Sequence, residues 1–205
     1  MAAHIHTLSI ALDKEIGELS EKRVALLSER GFQVIQKVDG QLVVVVSGDG
    51  SYQLHITPNN IICALKLELV ESFFNEPDEY FGIFSEVIET LMLNPEGSIG
   101  FQIEKSYDAP RDTLEKAWTF LSDPEPLMFN GGAISVGYRI PLAYKDYSLR
   151  GEVKIEPFFA DSSKYFISLV LQSEVSSSLD RALESLKIII SLFRSYEDRA
   201  AQMFS

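Results

Sequence analysis

The sequences LHITP at residues 54–58 and VKIEP at residues 153–157 decide the fold of this chain. In both stretches apolar and polar side chains alternate up to a proline, which is the period of a β-strand with one apolar face. Because one stretch lies in each half of the chain, we expect a structural unit that occurs twice.

Two further pairs of segments support this internal duplication. Residues 13–19 match residues 108–114, since both segments begin with aspartate and end with leucine. An apolar stripe at helical spacing also occurs twice, as Phe84, Ile88 and Leu91 and then as Leu186, Ile190 and Phe193. The three matches predict two pseudo-repeats, residues 1–96 and 97–205, which meet at the turn sequence NPEG (94–97) and pack as one compact unit.

Each half predicts a strand, a helix, several antiparallel strands and a long helix. Asp13 is expected to cap the first helix, and Asp108 to open the corresponding helix of the second half, which ends near Leu121. The alternation from Ile61 to Leu69 predicts a strand with one wet face, followed by a helix over residues 78–93. This order predicts an α+β fold with helices packed on one face of the sheet.

Two resemblances follow from these elements. The order of elements in each half resembles the repeat of TATA-box-binding-protein-like saddle folds; that resemblance implies a sheet saddle, but the strands here carry too few lysines and arginines for DNA binding. The GYRI sequence at residues 137–140, the VKIEP strand and a final helix ending near Phe204 resemble a family of uncharacterised bacterial proteins. That family implies no activity.

The net charge of the chain and the distribution of its acidic residues indicate which kinds of partner it can bind. The 205 residues carry a formal net charge of −12, which disfavours nucleic acid and anionic membranes, because both repel an acidic surface. The segment from Leu67 to Glu104 contains no lysine or arginine. Its acidic residues are Glu68, Glu71, Glu76, Asp78, Glu79, Glu86, Glu89, Glu96 and Glu104. This segment predicts either a solvated helix face or a docking patch for a basic partner.

Cysteine usage and the N-terminal sequence predict a cytoplasmic protein. Cys63 is the only cysteine, so no internal disulfide forms, and its place in an alternating strand predicts an inert thiol in the core. The first residues lack the pattern of a signal peptide, and no apolar run is long enough to cross a bilayer.

No catalytic motif is found in the sequence. Hydrolase, kinase, metalloprotease and CxxC signatures are absent, and we predict no catalytic residue, no metal and no cofactor. The three histidines, His4, His6 and His55, meet only if the first and fourth strands are neighbours. An enzyme stays open as an alternative, because carboxylate and tyrosine sites need no linear motif.

Two groups of residues are candidates for binding. Arg139 lies among small side chains on one strand face and is suited to grip a carboxylate. An apolar cavity between the sheet and the long helix is expected to be lined by Tyr138, Tyr144, Phe158 and Tyr165. The predicted ligand-binding residues are Arg139, Tyr138, Tyr144 and Tyr165. The predicted partner-binding residues are Phe73, Phe74, Glu76, Asp78, Glu79, Met203 and Phe204, where aromatic side chains are expected to be partly exposed.

Three functions are consistent with these patterns. The leading hypothesis is a non-enzymatic interaction module that presents a sheet face and an acidic helical surface to another protein or to a second copy. The second is a helix-grip-like binder of a small hydrophobic or carboxylate ligand. The third is an acidic mimic of nucleic acid that blocks a basic enzyme site, which requires carboxylates in regular rows.

Overall fold

The fold is an antiparallel sheet with helices packed against it. The computed structural model describes residues 3–65, 67–120 and 136–205. The strands of the described residues are β1 (Ala3–Asp13), β2 (Gln33–Val38), β3 (Leu42–Val46), β4 (Tyr52–Ile56), β5 (Asn60–Leu65), β6 (Glu96–Asp108), β7 (Tyr138–Tyr144), β8 (Leu149–Pro157), β9 (Lys164–Ser173) and the short β10 (Ser177–Ser178).

One continuous sheet joins the two halves of the chain. Its strand order is β2-β3-β4-β5-β1-β6-β9-β8-β7, and β10 pairs with the beginning of β6. β1 and β6, the first strand of each half, pair antiparallel at the centre, where Ile10 lies opposite Phe101. The turn sequence at residues 94–97 therefore leads directly into a central strand and does not separate two bodies.

Five helices accompany the strands that the structure describes. They are α1 (Glu21–Glu29), α2 (Val70–Asn75), α3 (Pro77–Thr90), α4 (Thr113–Trp118) and α5 (Leu179–Met203). α5 contacts β6 and β9, and α3 packs against α5 and α1. The α+β class predicted from the sequence is confirmed.

Burial along β6 shows which face the helices cover. Ile99, Phe101 and Ile103 are buried, whereas the alternating Gln102 and Glu104 are only half-buried. The buried face meets the stripe of α5 that includes Leu186, Ile190 and Phe193, all at most 4% exposed. One face of the sheet therefore forms the core, and the other carries polar side chains, as is common in antiparallel sheets.

The matched segments lie at corresponding places in the sheet. LHITP begins in β4 and ends two residues beyond it, whereas VKIEP forms the end of β8. Each strand comes last but one in its meander, before β5 or β9, which pair with β1 and β6. Asp13 and Asp108 are the last residues of β1 and β6. A duplication stays a prediction, since equivalent topology does not establish a common origin.

Two helix starts differ from the prediction. Asp13 does not cap α1, whose N-cap is Ser20, seven residues further on. The intervening chain is held irregular because the amide groups of Ile16 and Gly17 donate to the carbonyl of Pro58. Asp108 likewise ends a strand, and it is Asp112 that caps α4, because its carboxylate accepts hydrogen bonds from the amides of Leu114 and Glu115.

The strand predicted from the alternation of Ile61 to Leu69 is shorter than expected. β5 ends at Leu65; a 3-10 turn (Leu67–Leu69) and α2 follow. α4 ends at Trp118, before the predicted helix end near Leu121, a residue that lies outside the described ranges.

Candidate functional site

The helix α3 separates an apolar face from an acidic face. Pro77 occupies its first position, where its missing amide and fixed φ suit the start of a helix. The buried residues are Pro77, Tyr80, Phe81, Ile83, Phe84, Val87, Ile88 and Thr90. The exposed ones are Asp78, Glu79, Gly82, Glu86 and Glu89, so every fully exposed position of the helix is acidic or glycine.

Most of these carboxylates have no cationic partner. Asp78 pairs with Lys187 of α5 at 2.9 Å. In the part of the chain that the structure describes, Glu76, Glu79, Glu86 and Glu89 form no ion pair. We call these four residues the acidic stripe. From Glu76 to Glu89 it extends about 20 Å at the rise of an α-helix.

An open cleft of about 330 Å³ runs beside the acidic stripe. One wall is α3, through Glu79, Gly82 and Glu86; the other wall comes from the turn after α1 and from the β3–β4 hairpin. The described residues that line those two segments are Arg30, Gly31, Phe32, Ser47, Gly48, Asp49 and Tyr52.

Hydrogen bonds keep the hairpin wall of the cleft negative. The hydroxyl of Ser47 donates to the Asp49 carboxylate at 2.6 Å, and Ser51 donates from both its amide and its hydroxyl. These bonds hold the pKa of Asp49 well below its ordinary value, so it is ionised throughout the physiological range. Burial, followed by the charges of Asp49 and nearby groups that include Glu79, raises the pKa of Tyr52.

Gly82 is an unusual residue at the centre of the exposed face of α3. A Cβ added there meets no atom within 4 Å, and its φ is not in the left-handed region. Neither packing nor backbone conformation therefore requires glycine, which costs a helix interior roughly 0.5–1 kcal/mol relative to alanine. Because Gly82 has no side chain, the helix backbone is exposed between Glu79 and Glu86.

Phe73 and Phe74 do not lie on this surface. The expectation that they are partly exposed is wrong, since they are 0% and 6% exposed. Both belong to α2, which turns them inward: Phe73 stacks at 6.4 Å on Phe101, and Phe74 at 5.9 Å on Phe193. The sequence analysis predicted no helix between Leu69 and residue 78, so α2 was not foreseen.

Phe204 is likewise not an exposed terminal anchor. It is 1% exposed and stacks on Tyr165 at 4.8 Å, because α5 continues to Met203 without fraying. Met203 is half-buried and lines a separate apolar groove together with Tyr138. Among the predicted partner-binding residues, Glu76, Asp78 and Glu79 are therefore the fully exposed ones, and of these three Glu79 lines the cleft.

The predicted ligand-binding residues are dispersed. Arg139 pairs with Glu152 at 2.7 Å on the face of the sheet away from the helices. Tyr165 is buried, and burial raises its pKa to about 12. The hydroxyls of Tyr144 and Tyr196 are 2.9 Å apart. Phe158 stacks on His6. Tyr138, Tyr144 and Tyr165 lie on the helix side of the sheet, whereas Arg139 and Phe158 lie on the other side, so Phe158 does not line the predicted cavity with the three tyrosines.

No metal centre is formed by the residues that the structure describes. β5 lies between β1 and β4, so His6 and His55 are not on neighbouring strands. No group of three His, Cys, Asp or Glu in those ranges is placed to hold an ion. Cys63 is 1% exposed, which confirms the predicted place of its side chain in the core, and burial raises the pKa of its thiol to about 12.

Comparison with known proteins adds no name to this site. No protein-family model matches the chain, and no curated protein matches it in sequence. Within the described ranges, no helix combines the length and the apolar character that crossing a membrane requires.

Proposed function

We propose that this protein is a non-catalytic interaction module that binds a basic segment of a partner protein along α3. The observation that supports this function is the unpaired acidic stripe beside a cleft whose hairpin wall is also negative. The stripe is about 20 Å long. That length suits an extended polypeptide better than a small cation.

The stripe includes features that helix stability does not explain. Glu89 lies in the last turn of α3, where the helix dipole disfavours a negative charge by about 0.3–1 kcal/mol. Gly82 in the helix interior adds a cost of similar size. Two residues that destabilise the helix therefore lie on the same exposed face. Their presence favours a binding surface over a face that is only solvated.

Gly82 also suggests how the partner approaches. Without a side chain between Glu79 and Glu86, a lysine or arginine chain of the partner reaches the helix backbone and lies between two carboxylates. Such contacts steer association and weaken as salt screens them.

A matched pair of variants tests this function. The partner is captured from native lysate, identified and purified, and its affinity is measured by calorimetry. Glu79→Gln/Glu86→Gln/Glu89→Gln removes three charges from α3, while Glu15→Gln/Glu18→Gln/Glu29→Gln removes three exposed, unpaired charges near α1. The account predicts that only the first variant loses binding, by at least about tenfold. Equal losses, or none, contradict it.

A nucleic-acid mimic is a second candidate with weaker support. Its carboxylates would have to follow one another regularly, but Gly82 interrupts the row between Glu79 and Glu86. Under that function the same charge-neutralised variant would stop inhibiting a nucleic-acid enzyme, and Gly82→Glu, which fills the row, would inhibit more strongly.

Nucleic acid and membranes are not proposed as partners. The uncovered face of the sheet carries Asp13, Glu104, Asp108 and Glu156 as well as cations, and the sequence is acidic as a whole. A second copy is disfavoured at α3 because two acidic stripes repel. The free, buried Cys63 suits a reducing compartment such as the cytoplasm.

A further inference from the structure

A second, chemically different groove lies at the other end of the sheet. It has a volume of about 320 Å³ and is formed where the C-terminal end of α5 passes the edge strand β7. Its walls are almost entirely apolar: Phe120, Tyr138, Ile140, Tyr196 and Met203. Tyr138 and Ile140 remain 36% and 39% exposed, which is high for large apolar side chains.

Arg199 is the charged residue of this groove. It is exposed, and in the described ranges it makes no ion pair, although α5 also carries Glu184 and Asp198. The helix dipole gives little reason for this cation, because its effect is confined to the last turn, which begins at Ala200. An unpaired guanidinium at the rim of an apolar groove complements a ligand with an anionic head and an apolar body.

We propose that this groove binds a small amphiphilic carboxylate, independently of the acidic stripe. The aliphatic chain lies against Tyr138, Ile140 and Met203, and the carboxylate accepts paired hydrogen bonds from the guanidinium of Arg199. The volume is at the lower end of small-molecule sites, which suits a chain of medium length. The Tyr196 hydroxyl, already bonded to Tyr144, fixes the wall behind the head group.

Calorimetric titration with sodium decanoate, below its micelle concentration, tests the site on the full chain. Decyltrimethylammonium has the same chain and the opposite charge. The structure predicts that decanoate binds and that the cation binds more weakly or not at all. An adventitious apolar surface would bind both probes equally, which would overturn the proposal, as would the absence of decanoate binding.

Variants locate the binding on the protein. Arg199→Gln is expected to weaken decanoate binding about fivefold, the effect of one exposed charge pair. Arg181→Gln is the control, since Arg181 is exposed on the same helix about 27 Å away. Equal weakening by both would show a net-charge effect and overturn the site.

The apolar wall is tested separately. Ile140→Asn and Met203→Gln are each expected to weaken decanoate binding at least about threefold, because both remove apolar area from the groove. Both positions are partly exposed, so the fold tolerates the changes; an unchanged thermal midpoint verifies this for each variant. If neither variant changes the affinity, the chain of the ligand lies elsewhere and the assignment is wrong. Glu79→Gln/Glu86→Gln/Glu89→Gln is expected to bind decanoate normally.

Discussion

The Nζ atom of Lys105 lies 2.8 Å from Oε1 of Glu197, and this ion pair ties the central strand β6 to α5. The lysine side chain is only 5% exposed. Its ammonium group also lies 5.0 Å from the ring centre of Phe74, and the hydroxyl of Tyr107 donates to the same carboxylate. A charge so deep in the core is tolerated only because these partners surround it.

Removing one member of this pair is expected to destabilise the fold strongly. Glu197→Gln should lower the free energy of unfolding by about 3 kcal/mol, since it leaves the buried cation only Glu71, 3.6 Å away and 74% exposed, as an ion-pair partner. Lys105→Met/Glu197→Gln should be more stable than Glu197→Gln alone. Urea unfolding measures both. Lys187→Met, which breaks the more exposed pair with Asp78, should cost less than about 1 kcal/mol; a similar loss in all variants would contradict the account.

Alkaline pH should destabilise the protein through its buried acids. The pKa of Tyr165 is raised from 10.0, and that of Cys63 from 9.0, each to about 12 by burial. The folded state holds these protons more tightly than the unfolded state, so stability is full below the unfolded values and falls as pH rises from about 9 towards 12. Urea unfolding at a series of pH values checks this. Tyr165→Phe should show a shallower decline, and an unchanged profile in wild type would refute the burial argument.

Gly82→Ala should stabilise the fold and weaken function. The added methyl meets open space on a helix, so the free energy of unfolding should rise by roughly 0.5–1 kcal/mol. The same methyl covers the backbone between Glu79 and Glu86 and should weaken the partner complex. Thermal unfolding and calorimetry measure the two effects, and a gain in both stability and affinity would count against our reading of Gly82.

Gly151→Ala is also a glycine-to-alanine substitution, but it should lower the free energy of unfolding. A Cβ at Gly151 would lie 1.8 Å from the carbonyl oxygen of Val170, because β8 and β9 approach closely there. We expect a loss of about 3 kcal/mol or more, since the neighbouring atoms belong to the backbone and cannot move aside. Urea unfolding of the soluble fraction checks this; near wild-type stability would show that the β8–β9 pairing is not as described.

Local periodicity was sufficient to predict most of the sheet and the long helix. The alternation in β4, β5 and β8 and the apolar stripe of α5 reflect which side chains face the core, and each of these patterns is visible within its own segment. The failures occurred where a distant group decides the structure. Asp13 has the neighbours of a helix cap, yet the carbonyl of Pro58 holds the following amides.

The candidate sites were only partly predictable. The absence of lysine and arginine from residues 67–104 indicated the acidic surface, and Glu76, Asp78 and Glu79 are exposed there. The cleft was missed because its second wall comes from turns that lie far from α3 in sequence. Arg199 gave no signal, since its significance depends on where α5 passes β7 and not on its own neighbours.

The most direct test of the central claim is photocrosslinking from the cleft beside α3. Arg30, which is exposed on the opposite wall of the cleft and leaves Gly82 and the acidic stripe intact, is replaced by a benzophenone-bearing amino acid, and Lys116 of α4 carries the same group in a control protein. After irradiation in native lysate, the account predicts one predominant adduct from position 30, through a lysine- or arginine-rich segment, that is lost in Glu79→Gln/Glu86→Gln/Glu89→Gln. The same scattered adducts from both positions, or an adduct that survives charge neutralisation, would contradict an acidic docking surface on α3.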